Sequence, residues 1–214
     1  MSSFIWTTKF KSIIIVDNEL FQNHYDVKLH IKPITSNLKE QSEYFDRLKV
    51  LFDHVLSGTI TSYREDKLYR VLAHSTNNRF IELPKSPYDQ IMAAVCFCKS
   101  NAVLDGKIIV EKIELGSYQG DGIMYSVDKN SKEVTLLDVD EWFSKKYAKF
   151  DPWWLRGDTA TYDREMSKGI YTGHFSWKEE TQVVNNEKEL KKENHAKIFE
   201  FNPKILDGGK DKSK

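Results

Sequence analysis

SPYDQIMAAVCFCKSNAVLDGKIIVEKIEL, residues 86–115, carries the clearest start, middle and stop in the chain. Ser86 is a helix-capping residue type, and Pro87 suits the first helical position, where its missing N–H is no loss. Asp89 follows as a short-acid version of a capping box and sets negative charge against the helix's positive end. Residues 91–98 are then apolar without a break, and a helix that is apolar all round is a buried one. Asp105-Gly106 supplies the stop, with glycine free to take the left-handed cap. Residues 107–115, rich in Ile and Val, predict a strand. This helix–strand unit is the expected centre of the core.

Outward from it, residues 25–31 alternate strictly. Tyr25, Val27, Leu29 and Ile31 fall on one face, and Asp26, Lys28, His30 and Lys32 on the other. That pattern predicts a strand with one face in the core and one in water. Residues 9–16 predict a strand before it, ending at Asp17-Asn18. Asn37, with Glu40 as capping partner, opens a helix whose stripe runs through Leu38, Phe45, Leu48, Phe52 and Val55 to a stop at Gly58. Ser62 and Glu65 form a capping box for a second helix reaching His74. A short strand over 79–83 stops at Pro84. After the central unit, strands over 123–127 and 134–139 complete an antiparallel meander, and Asp140 caps a helix over 141–149.

This order predicts an α+β fold. It consists of a largely antiparallel or mixed sheet of five to seven strands, three main helices packed on one face, and an irregular Trp-containing C-terminal segment. Residues 1–206 read as a single domain, and 207–214, DGGKDKSK, as a disordered polar tail.

The 32 basic and 32 acidic residues cancel, which disfavours a dedicated nucleic-acid binder and leaves single-stranded nucleic acid, met by the aromatic segment and scattered lysines, as a weaker alternative partner. No apolar stretch is long enough for a membrane span, and the first residues lack a signal peptide's pattern, so a cytoplasmic location is expected. Cys96 and Cys98 sit two apart on the expected helix, so their thiols diverge and stay reduced. No cofactor is expected. Gly116, Gly120 and Gly122 precede a strand rather than a helix, so they form a turn and not a phosphate loop. No metal is expected either: among Asp138, Asp140 and Glu141, with Asp151 and Asp158 further on, Asp140 is spent as a cap.

Two features point to function. FDPWWLRGD places Trp153 and Trp154 beside Arg156 in an irregular stretch. Adjacent residues of extended chain face opposite ways, so one indole enters the core and the other is free. Exposed Trp with a nearby Arg has the composition of a binding hot spot. The leading expectation is therefore a non-catalytic accessory or interaction protein. Its macromolecular partner is expected to be another protein, with Trp153, Trp154 and Arg156 as contacts. The alternative is enzymatic. His74-Ser75-Thr76 and His174-Phe175-Ser176 both fit His-x-Ser/Thr, and such a pair is similar to the motifs of the two-histidine phosphoesterases. The resemblance implies phosphodiester processing, with His74 and His174 as acid and base and Thr76 and Ser176 turned into the site.

Overall fold

Two long strands form the spine of the sheet. In this computed structural model, which describes residues 2–75, 78–135, 137, 151–163 and 177, β1 (Phe4–Val16) and β2 (Glu19–Pro33) pair antiparallel. Phe4 stands opposite Ile31 and Val16 opposite Glu19. Asp17 and Asn18 join them with φ of 52° and 65°. This is the doubly left-handed turn whose twist matches a hairpin, at residue types that tolerate it.

The remaining strands are β3 (Thr59–Tyr63), β4 (Phe80–Leu83), β5 (Ile108–Ser117) and β6 (Met124–Asp128), and the sheet order is β4-β3-β1-β2-β5-β6. β1 with β3, and β3 with β4, are parallel; the other pairs are antiparallel. The parallel pairs arise where a helix intervenes, because only a crossover can return the chain in the same direction. The architecture is thus the mixed α+β sheet expected, with α1 (Leu38–Val50), α2 (Lys67–Ser75) and α3 (Asp89–Leu104) as its main helices. The described residues belong to one compact unit, Met1–Thr181. Among them no helix is long and apolar enough to cross a membrane.

The alternation in β2 sets the core. Tyr25, Val27, Leu29 and Ile31 are buried, while Asp26, Lys28 and Lys32 are exposed. Phe10 stacks on Tyr25 at 4.6 Å and meets Phe52 at 6.0 Å. Phe52 belongs to a π-helical turn, Leu51–Leu56, that extends α1 over this face. α3 is buried on every side from Ile91 to Phe97, as its unbroken apolar run requires. Asn101 ties α3 to β5: its Nδ2 donates to the Val110 carbonyl and its Oδ1 accepts from the Val110 N–H. Those groups lie at a β-bulge, where the register against β2 slips between His30 and Ile31. α2 lies on the opposite face, where Tyr69 packs with Ile15, Ile60 and Phe80, so the expectation of all three main helices on one face is corrected: the crossover from β3 to β4 carries α2 to the other side.

Two further expectations are corrected. Residues 59–63 form β3, and no helix begins at Ser62. Ser62 and Glu65 mimic a capping box, but Asp66 is the real cap, its Oδ1 accepting from the N–H groups of Leu68 at 2.8 Å and Tyr69 at 3.2 Å. Thr59 and Thr61 are buried against β1, where the Ser12 hydroxyl bonds the Thr59 carbonyl and lies 2.7 Å from Thr61 Oγ1. Asp66→Ala is expected to lower stability by about 1 kcal/mol in urea denaturation, the usual worth of a cap. Ser62→Ala should leave the α2 cap unchanged. The second correction is that residues 132–135 form a short helix, α4 (Lys132–Thr135), where the last meander strand was expected to begin. The Asp128 carboxylate accepts from the Asn130 N–H and the Ser131 hydroxyl and closes a turn there. The expected helix over 141–149 and the tail over 207–214 lie outside the described residues.

Candidate ligand site at the start of α3

The tryptophan segment is a strap on the body of the protein. Residues 151–163 run along the free edge of β4: the Glu82 N–H donates to the Thr161 carbonyl at 3.0 Å, and Thr161 Oγ1 donates to the Phe80 carbonyl at 2.5 Å. An open strand edge is a liability, and the strap covers it. The expectation that one indole stays free is corrected, since Trp153 and Trp154 are both buried. The pair sits in a 3-10 turn, Trp153–Leu155, rather than in extended chain, so the two rings need not diverge; they pack edge-on at 5.7 Å. Arg156 bonds within the strap, to Asp158 at 3.1 Å and Asp163 at 2.5 Å.

Two buried ionisable groups hold the strap in place. Lys99 is fully buried, and its Nζ donates to the carbonyls of Trp153 at 2.9 Å and Arg156 at 2.8 Å. Burial pulls its pKa down to about 8, against the opposing pull of Asp158. Glu82 accepts from the Tyr69 hydroxyl at 3.1 Å and the Asp163 N–H at 3.2 Å, and burial raises its pKa. Lys99 and Glu82 escape sequence reading because their partners lie far away in the chain. His74 lies in the last turn of α2. Its expected companions Thr76, His174 and Ser176 fall outside the described residues, as do Asp138, Asp140 and Glu141. Among the described residues no three His, Cys, Asp or Glu side chains cluster as metal ligands.

The structure instead draws attention to the other end of the central helix. A cavity of about 410 Å³ opens between the hairpin of β1 and β2, the start of α3 and the turn before β6. Its walls include Phe21, Tyr88, Tyr125 and Ile123, and its polar groups are Asn23, Asp89, Gln90, Gln119 and Asp121. This is the usual makeup of a ligand pocket: apolar walls with a few placed polar groups.

Asp89 does not cap its helix. The N-cap is Tyr88, without a side-chain hydrogen bond, so Asp89 is the first helical residue, too early to serve as capping partner. Its Oδ2 accepts from the Ser117 hydroxyl at 2.9 Å, and burial raises its pKa although the Ser117 bond opposes this. Gly120 permits that placement, because a Cβ there would lie 2.3 Å from Asp89 Oδ2. Asn23 is 1% exposed. Its Oδ1 accepts from the N–H groups of His24 at 3.0 Å and Gln119 at 3.2 Å, which fixes the orientation of the amide. Its Nδ2 is buried without a hydrogen bond, as is the Tyr25 hydroxyl. The Asn23 side chain lowers the pKa of Tyr25 against the larger upward effect of burial, but the two groups do not reach hydrogen-bonding geometry. Sequence reading assigned Asp89 and the glycine-rich turn to structure. The overlooked signal is an apolar pair, Leu20-Phe21, just past a hairpin turn.

No protein-family model and no curated protein matches the chain. Among solved structures it is similar to an uncharacterized protein from Wolinella succinogenes, 11% identical, with a TM-score of 0.45 over 60% of this chain and 98% of that one. A likeness so distant carries no argument about function.

Proposed function

We propose that this is a non-catalytic interaction protein that binds another protein through the hairpin end of its sheet. The observation that supports this reading is the gathering of exposed large apolar side chains there. Phe21 on the hairpin, Tyr88 at the start of α3, and Tyr118 and Ile123 in the turn before β6 are all exposed, Tyr118 by 79% and Tyr88 by 59%. Scattered exposed apolar residues need no explanation, but a cluster around a cavity marks a recognition surface. Aromatic residues of this kind are the usual anchors of protein interfaces. The aromatic contact surface expected from the sequence is thus retained in kind and moved from Trp153 and Trp154 to Phe21 and Tyr88.

The double variant Phe21→Ala/Tyr88→Ala tests this. Tyr88 is largely solvated and Phe21 is partly covered, so stability in urea should change by less than about 2 kcal/mol. Affinity for a partner identified by capture from the native host should fall by about thirty-fold or more, the loss of one hot-spot anchor. A partner held equally well by the double variant would remove the hairpin end as the contact surface.

A further inference from the structure

The strap covers the sheet's edge at β4; at the other edge, among the described residues, β6 has no partner beyond β5. We infer that β6 takes an extended segment of the partner protein as an added strand, an inference that rests on the interaction function proposed above. Asp128 fixes the backbone directions along β6. Its N–H donates to Ser131 Oγ at 2.8 Å and its carbonyl accepts from the Ser131 N–H at 3.1 Å, both away from β5. Antiparallel pairing alternates, so the N–H and C=O of Ser126 and Met124 also point outward, while those of Tyr125 and Val127 face β5. Met124 and Ser126 are exposed, and among the described residues nothing takes up their outward groups.

Such a row of donors and acceptors matches extended backbone, and edges that must stay unpaired usually carry Lys, Pro or a bulge. MYSVD, Met124–Asp128, has none of these. The side chains set what the incoming strand must offer. Tyr125 and Val127 lie on the core face, opposite the buried Leu115 and Ile113, and Met124 and Ser126 lie on the other face. A segment laid beside them therefore alternates, apolar toward Tyr125 and Val127 and polar on the other side. A second copy of this chain fits less well. Pairing β6 with itself about Ser126 sets Met124 opposite Asp128, whose outward N–H and C=O are already committed to Ser131. The edge is also continuous with the exposed apolar cluster, because Tyr118 and Ile123 belong to the turn that leads into β6. A partner anchored on that cluster is thus placed to run on along β6.

The experiment pans a phage-displayed library of short linear peptides against the full chain and measures the enriched peptides, made synthetically, by fluorescence anisotropy. Saturable binders with alternating apolar residues are expected. Ser126→Pro removes one outward N–H and leaves the bonds to β5 in place, since proline is tolerated where an edge N–H faces solvent. It should weaken those peptides by about ten-fold or more, through one lost hydrogen bond and a blocked approach. Ser126→Ala, which keeps the backbone edge, should bind as the parent does. Hydrogen exchange of the parent needs no variant. The Met124 and Ser126 amides should slow by about ten-fold or more when peptide binds, while those of Tyr125 and Val127 are slow throughout. The inference is overturned if no peptide is enriched, if the enriched peptides leave both outward amides unprotected, or if Ser126→Pro binds them as tightly. A dimer in sedimentation equilibrium that Ser126→Pro dissociates would overturn it too and assign the edge to a second copy. If Ser126→Pro loses the peptides and Phe21→Ala/Tyr88→Ala keeps them, the edge stands and the apolar cluster falls as a contact surface; the reverse pattern removes only the edge.

Discussion

Trp153→Ala is expected to destabilise the protein by about 3–5 kcal/mol, the range for deleting a large aromatic side chain from a packed interior. Trp153 is 0% exposed, and both its ring and its backbone are tied down. Its Nε1 donates to the Glu82 carbonyl at 2.8 Å, and its backbone N–H donates to Asp163 Oδ2 at 2.9 Å. Alanine leaves a void beside Trp154 and an unpaired carbonyl on β4, so the β4 edge and the strap loosen together. Domains of this kind carry only about 5–15 kcal/mol in all, so the variant should have a urea midpoint far below that of the parent. Trp153→Phe separates the two contributions. It retains much of the volume and loses only the N–H, for about 1–3 kcal/mol. Far-UV circular dichroism across a urea series checks both. A loss below about 1 kcal/mol for Trp153→Ala would show that the strap rests on the body without stabilising it.

The contrast between this tryptophan pair and β2 shows what sequence could reveal. The inward face of β2 follows from a period of two within seven residues, and α3 from an unbroken apolar run; both signals are local, and both elements form where expected. Asn37 is equally local and accepts from the N–H groups of Lys39 and Glu40 as a cap should. Trp153 and Trp154 carry no period. Their burial depends on the free edge of β4, which only the assembled sheet creates. β3 was missed because a false capping box overlapped a five-residue strand, and the Thr and Ser side chains that read as exposed are paired with β1. The candidate ligand site was missed for a related reason. Asp89 contributes to it only through Ser117, a partner on β5, and Asn23 only through the turn that Gln119 closes.

Lys99 is the extreme case of a residue whose role is decided at long range, and Lys99→Met is the substitution that exposes it. At pH 7 methionine should cost about 2–4 kcal/mol, because it fills the space but removes the buried ammonium that donates to the Trp153 and Arg156 carbonyls and pairs with Asp158. The pH dependence is the sharper test. The folded pKa of Lys99, about 8, lies below its ordinary 10.5, with burial as the main cause. Between those values the unfolded chain holds a proton that the folded chain has released, so this group makes stability rise with pH. Below pH 8 both states are protonated and the full cost of burying the charge is present. Across the window the parent should gain on the order of 3 kcal/mol from this group. Lys99→Met has nothing to titrate there, so its deficit should widen as pH climbs from 7 to 10. Urea denaturation of both proteins at several pH values reads that divergence directly. Stability curves that stay parallel over the range would mean that Lys99 keeps its ordinary pKa when folded, and that the strap's carbonyls and Asp158 fully offset the cost of burying its charge.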